Sequence, residues 1–270
     1  MSFLSRHIGP DADDMAVMLR TVGVASLDEL IDRAVPESIR VRDALDLPEP
    51  LDEPEALAAL RSIAARNTVM LQMIGQGYHD TVTPAAVRRN ILENPGFYTS
   101  YTPYQPEISQ GRLELLLTFQ NAVIDLTGLE VANASLLDES SAVAEAVLMM
   151  RRANRRSKSL RWLVDSRSLP QTLAVLTGRT RAAGIELVTA DLGDPDAAAR
   201  AVSEGDVFGV VVAQIGADGD VTDATAVIDA AHEAGALVTV STDLLALTML
   251  RSPGELGADI AVGTSQRFGV

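Results

Sequence analysis

The sequence predicts an α/β protein, with a helical N-terminal region followed by an α/β/α layered domain built on a mainly parallel sheet. Three observations carry this. Helix-start signals dominate the first 130 residues. From about residue 134, short apolar runs alternate with amphipathic segments, the pattern of strands joined by helical crossovers. The 270-residue length, with 47% hydrophobic and 22% charged residues, is enough to bury a sizeable core.

The elements follow in order. Pro10 with Asp11, Asp13 and Asp14 suits a helix N-terminus, where a fixed φ and negative charge are both favourable. Ser26 and Glu29 have capping-box spacing and start a second helix. The stretch PEPLDEPEALAALRSIAARN is a proline-rich link into a third. TPAAVRRNILENPG is a fourth, with Thr83 as cap and Pro84 at its first position. SQGRLELLLTFQNAVIDLTG is a longer helix closed by Gly128. These residues, 1–130, form the first expected region, and 131–270 the second.

In the second region a helix over Asp138–Arg152 precedes strands at Arg161–Asp165, Ile185–Thr189, Val207–Gln214, Leu237–Val240 and Asp259–Val262. Helices are expected between them at Leu169–Ala183, Asp196–Ser203, Thr222–Ala234 and Leu244–Leu250. Ligands of parallel sheets bind at the carboxyl ends of the strands, so the loops after Asp165, Ala190, Ile215, Ser241 and Gly263 are the ones to inspect.

Composition narrows the function. A net charge of −15 disfavours nucleic acid and anionic membrane as partners. There is no cysteine, hence no disulfide, thiolate metal site or thiol nucleophile. No apolar run reaches bilayer-spanning length and the N-terminus lacks a signal-like core, so a cytoplasmic location is expected. Of 22 basic residues only Lys158 is lysine, in the Arg-rich run RRANRRSK at a helix end, where a surface position is expected.

Four tyrosines, Tyr78, Tyr98, Tyr101 and Tyr104, all lie between residues 75 and 112. Phenols with an apolar body and a hydrogen-bonding tip suit a small polar ligand or a packed interface, and both readings stand. His79, beside Tyr78 and Asp80, has the neighbours of a general base, although a structural histidine is the simpler reading. His7 and His232 have no supporting neighbours in sequence. Asp218, Asp220 and Asp223 lack the ordered ligands of a calcium loop and fit a turn before a helix. Asp138 and Glu139 occupy the N-terminus of the helix before the first strand, which makes it a capped helix and not a phosphate site.

The stretches MIGQGYHDTVTPAAVRRNILENPGFYTSYTPYQPEISQGRLELLLTFQ, LTGLEVANASLLDESSAVAEA and STDLLALTMLRSPGELGADIAVGTSQRFGV, with RHIGP near the start, resemble the N-terminal half of the P protein family of the glycine cleavage system. The resemblance implies a fold-type I pyridoxal-phosphate transferase-like domain, incomplete here. It implies two related halves, of which only the C-terminal one carries the cofactor lysine. It also implies decarboxylation of glycine on pyridoxal phosphate, and transfer of the aminomethyl group to the lipoyl arm of the H protein by a homodimeric complete enzyme.

On that resemblance Gln266 and Arg267 stand where the catalytic half has its histidine–lysine pair, and Asp243 where the pyridine-nitrogen partner falls. A guanidinium stays protonated and cannot serve as the amine nucleophile of a Schiff base. These three are therefore expected to be degenerate cofactor positions, and the chain alone to be inactive. Tyr98, Tyr101, Tyr104, Gln105 and His79 are expected to reach the catalytic half, lining the glycine pocket and shaping the lipoyl channel. The family continues past QRFGV into a further strand and a smaller domain, so an uncovered sheet edge and apolar surface are expected. The alternative is a catalytically silent structural or regulatory module. A self-sufficient pyridoxal-phosphate enzyme is disfavoured by the lysine count.

Overall fold

A computed structural model describes residues 9–43, 45–78, 80–98 and 110–269. The chain divides into two compact units, residues 1–71 and 72–270.

The first unit is helical. α1 (Ala12–Val22) is capped by Asp11, whose carboxylate accepts from the backbone N–H of Asp13 and Asp14. α2 (Leu27–Ala34) starts at Ser26, whose Oγ accepts from Glu29 N. The expected reciprocal bond is displaced by one residue, because the Glu29 carboxylate takes the N–H of Ala25. α3 (Glu53–Ala64) has a complete capping box between Asp52 and Glu55. All three helices leave large apolar side chains exposed, among them Val17, Val22, Leu60 and Ile63.

The second unit begins with short pieces. α4 (Ala85–Val87) is one turn that runs into a π-helical turn over Arg88–Leu92. Thr83 is not its cap: Pro84 takes the cap position, with no side-chain hydrogen bond. α5 (Pro95–Tyr98) is a single helical turn that carries Tyr98. α6 (Gly111–Thr127) is closed by Gly128 at φ 69°, a left-handed cap that glycine adopts without steric cost.

The layered domain follows: α7 (Glu139–Ala153), β1 (Arg161–Asp165), α8 (Pro170–Ala182), β2 (Glu186–Ala190), α9 (Pro195–Gly205), β3 (Gly209–Ala213), α10 (Thr225–Glu233), β4 (Leu237–Asp243), α11 (Pro253–Leu256) and β5 (Ile260–Thr264). The helix expected over Leu244–Leu250 reduces to a 3-10 turn at Ala246–Thr248. There the side chain of Asp243 accepts from Leu245 N and sets up a turn.

All strand pairings are parallel, in the order β2-β1-β3-β4-β5. The chain steps from β1 out to β2, then returns past β1 to β3. Crossovers of one hand running in opposite directions lay their helices on opposite faces. Accordingly, Leu163, Val210, Val212, Val238 and Val240 pack with Ala198 and Val202 of α9 and Val227, Ile228 and Ala231 of α10. On the other face, Trp162, Val164 and Val211 pack with Val143, Val147 and Met150 of α7 and Leu176 of α8. β3 is buried along its whole length, which explains its unbroken GVVVA sequence.

Asn154, buried just past α7, ties the layers together. Its Nδ2 donates to Phe208 O at 2.9 Å and Gly235 O at 2.8 Å, while its Oδ1 accepts from the N–H of Arg156 and Ser157. It thus joins the end of α7 to the residues entering β3 and β4. Arg151 lies 5.8 Å over the Phe208 ring at the same end. Replacing Asn154 by Ala leaves buried backbone groups short of partners, at a cost of about 2 kcal/mol. Thermal unfolding of Asn154→Ala should show a Tm lower by roughly 4–8 °C.

Candidate functional site

Parallel strands bring their carboxyl ends to one edge, and a cavity of about 700 Å³ opens there. Its walls come from residues 76–78, the start of α7, the β1–α8 turn, the residues after β3, and the ends of β4 and β5. This is the switch-point position, where crossovers leaving β1 and β3 diverge.

The strand ends are polar for local reasons. Asp243 closes β4 opposite Thr264 in the parallel register. Arg267, three residues beyond β5, reaches sideways to it: Nε and Nη2 lie 2.9 and 2.8 Å from Asp243 Oδ2. Both side chains are only about one-fifth exposed, at 19% and 22%. Asp243 is therefore fully engaged, since its Oδ1 holds Leu245 N. Gln266 also lines the cavity, and its N–H is turned toward Thr264 Oγ1.

Glu139, in the first turn of α7, faces the same cavity. Ser241 Oγ donates to its Oε1 at 2.9 Å. Burial pushes the Glu139 carboxyl up, the nearby Asp243 adds to this, and the Ser241 hydrogen bond and Arg267 oppose it. The α7 N-terminus itself is closed: Asp138 accepts from Ser141 N at 2.7 Å. The expectation of a capped helix end holds.

The loop at 75–78 forms another wall. Gly75, Gln76 and Gly77 all have positive φ, at 67°, 57° and 86°. Tyr78 N donates back to Gly75 O, and Gln171 of α8 donates to Gln76 O. The two glycines supply the left-handed backbone that presents Tyr78 to the cavity.

A second polar cluster sits at the β1 end. Asp165 is fully buried, and Arg167 donates to both its oxygens, contacts Thr222 and lies 3.6 Å from Asp191. Burial works against the Arg167 charge, but the hydrogen bond and charge of Asp165 outweigh it and hold the guanidinium above its ordinary range.

The expected site residues divide accordingly. Asp243, Gln266 and Arg267 come together in the cavity. Tyr98 lies on α5, exposed, and is not among the cavity walls. His79, Tyr101, Tyr104, Gln105 and His7 lie outside the described residues. Lys158 is exposed past the end of α7, opposite the strand ends in the chain path, as expected. Asp218 accepts from Asp220 N and Asp223 from the N–H and hydroxyl of Thr225, both as local turn bonds. His232 departs from expectation: its Nε2 lies 3.0 Å from Asp259 Oδ2, which also accepts from Val238 N at the opposite end of the sheet. Fold-brought neighbours 27 residues apart leave no signal in local sequence. The Glu139–Ser241 bond, spanning 102 residues, was hidden for the same reason. Among the described residues no grouping of three or more His, Asp or Glu suits a metal ion, and no helix is long and apolar enough to cross a membrane.

The residues do not fit covalently held pyridoxal phosphate. No lysine lines the cavity, the helix N-terminus that could cradle a phosphate is capped by Asp138, and Asp243 is taken by Arg267. Fold and site together define an α/β protein whose strand-end cavity carries an ion pair and, among its lining residues, no lysine.

Residues 5–270 match the family described as glycine cleavage system P-protein, and the chain belongs to that family. It is 56% identical over 265 residues to glycine dehydrogenase (decarboxylating) from Cereibacter sphaeroides strain KD131, and equally to that from strain ATCC 17023. The match covers 98% of this chain and 27% of each relative. A crystal structure of glycine decarboxylase (P-protein) of the glycine cleavage system, in inhibitor-bound form, superposes with a TM-score of 0.80 at 36% identity, covering 98% of this chain and 59% of that one.

Two outcomes follow from the cavity. Arg267→Ala strands Asp243 without its counter-charge and should cost about 1–3 kcal/mol, less than a fully buried pair would. In a double-mutant cycle, much of that loss should vanish in an Asp243→Asn background. Glu139 has a folded pKa above its unfolded one, so its contribution is favourable below the unfolded value and is lost as pH rises through the folded value. Glu139→Gln should therefore be more stable than the parent in denaturant titrations at pH 7, with the gain disappearing near pH 4.

Proposed function

We propose that these 270 residues act as the N-terminal, non-lysine part of a glycine-decarboxylating P-protein. The complete enzyme would decarboxylate glycine on pyridoxal phosphate held by its C-terminal half. It would then pass the aminomethyl group to the lipoyl arm of the H protein. The observation that carries this reading is Arg267 closed on Asp243 at the strand ends, within a chain that matches the family throughout. A guanidinium cannot form the cofactor linkage, so the chemistry requires a second half.

On this reading the chain alone is inactive, the complete enzyme is a cytoplasmic homodimer, and this part supplies active-site and interface residues. The tyrosine-bearing stretch is the contributor: Tyr98, Tyr101, Tyr104, Gln105 and His79 would line the glycine pocket and lipoyl channel of the catalytic half. The exposure of Tyr98 leaves its phenol available for such a contact.

Complementation tests the reading. Glycine–bicarbonate exchange should be absent with the chain alone and appear when the C-terminal half, pyridoxal phosphate and H protein are added. Exchange that never depends on this chain would point instead to a silent structural or regulatory module. In the complete enzyme, Tyr101→Phe with Tyr104→Phe should lower glycine turnover by roughly tenfold or more, the effect of losing a positioned hydrogen bond. Unchanged steady-state turnover would remove these tyrosines from the pocket.

A further inference from the structure

The end of α7 and the turn into β1 gather the chain's densest positive charge. Six of its 22 basic residues fall within residues 151–161, and no Asp or Glu lies between Glu145 and Asp165. The dipole of α7 accounts for Arg151 and Arg152, which stand in its last turn. It does not account for Arg155, Arg156 and Lys158, which lie beyond the helix end, where the field of the dipole has fallen off. Arg152, Arg155, Arg156 and Lys158 are exposed, and none makes an ion pair with the described residues, whereas Arg161 is paired with Glu186.

The backbone under these side chains is held in place. Asn154 Oδ1 accepts from the N–H of Arg156 and Ser157, and Ser157 Oγ accepts from Ser159 N. Ser159 Oγ accepts from Arg161 N and donates to Asp206 O. A turn fixed in this way gathers its charges before any partner arrives, so docking there loses less conformational freedom. Leu160, half exposed in the same turn, sets apolar surface beside the cations.

We propose that this turn, at the amino ends of the strands and away from the cavity, docks an acidic segment of a partner protein.

Charge and shape select this partner. Five of the six cations are arginines, whose planar fork matches a carboxylate. A nucleic acid or an anionic membrane presents an array of charge that extends past the turn and meets the acidic remainder of a chain of net charge −15. A short acidic segment covers the turn alone, and exposed charges farther off than about 8 Å are largely screened at physiological ionic strength. Leu160 offers an apolar side chain of the partner a contact that a phosphate backbone does not use. This face is remote from the cavity, and its docking role is independent of the decarboxylase reading.

Fluorescence anisotropy of the full 270-residue chain with a labelled oligoglutamate peptide carrying a leucine tests it. The matching glutamine peptide, duplex DNA and phosphatidylserine vesicles, the last read by co-sedimentation, are the comparisons. The glutamate peptide should bind saturably at physiological salt, and the other three more weakly by about tenfold or more. Arg155→Gln combined with Arg156→Gln and Lys158→Gln should weaken the peptide by about tenfold or more, the scale of lost charge-assisted hydrogen bonds. Leu160→Ser should weaken it by about threefold, the scale of a partly buried apolar contact. These side chains are all exposed, so the variants keep the fold. Arg88→Gln with Arg89→Gln removes like charge from another exposed stretch and should leave binding unchanged. Absence of saturable binding by the glutamate peptide would overturn the proposal. So would DNA or vesicles binding as tightly, either the Arg155–Arg156–Lys158 or the Leu160 variant binding like the parent, or the Arg88–Arg89 variant losing as much. Salt-sensitive self-association that disappears in the Arg155–Arg156–Lys158 variant would make the occupant a second copy of the chain, and would also overturn it.

Discussion

Five strands running the same way put all their carboxyl ends on one edge of the sheet, and the polar chemistry of the second unit follows from that constraint. Backbone pairing leaves the strand ends as the place where side chains can diverge from the core. Asp165, Ser241, Asp243 and Thr264 are strand residues at those ends, and each bonds to a residue outside its own strand. The apolar residues earlier in each strand fill the two faces and keep water away from the ends' neighbours.

Within that edge, the Arg267–Asp243 pair decides what the cavity can do. A carboxylate at the end of β4 is free to serve a bound group only if nothing else engages it. Here both oxygens are occupied, one by a guanidinium and one by the turn at Leu245. Asp138 and Glu139 are the other carboxylates lining the cavity, and burial pushes the Glu139 carboxyl up.

The strands were legible because parallel strands buried on both faces read as short continuous apolar runs. The expected limits of β1 match the observed ones, and those of the others shift by one to three residues. Helix starts were legible where an acidic or hydroxyl cap carries the signal, as at Asp11, Ser26 and Asp138. Thr83 misled because Pro84 can itself stand at the boundary, and the short π turn after Val87 has no sequence signature. In the site, residue type alone shows that Arg267 cannot act as an amine nucleophile, and the sequence carries no more than that. The ion pair of Arg267 with Asp243, like the Glu139–Ser241 and His232–Asp259 pairs, depends on contacts across the fold and carries no sequence signal.

The central claim is that this chain has no covalent cofactor site of its own. Borohydride reduction of the full chain mixed with pyridoxal phosphate, followed by peptide mapping, tests it most directly. The account predicts no stoichiometric adduct at the strand-end cavity, with any trace labelling confined to exposed Lys158 and the N-terminal amine. A stoichiometric adduct on the folded chain that survives Lys158→Ala would contradict it.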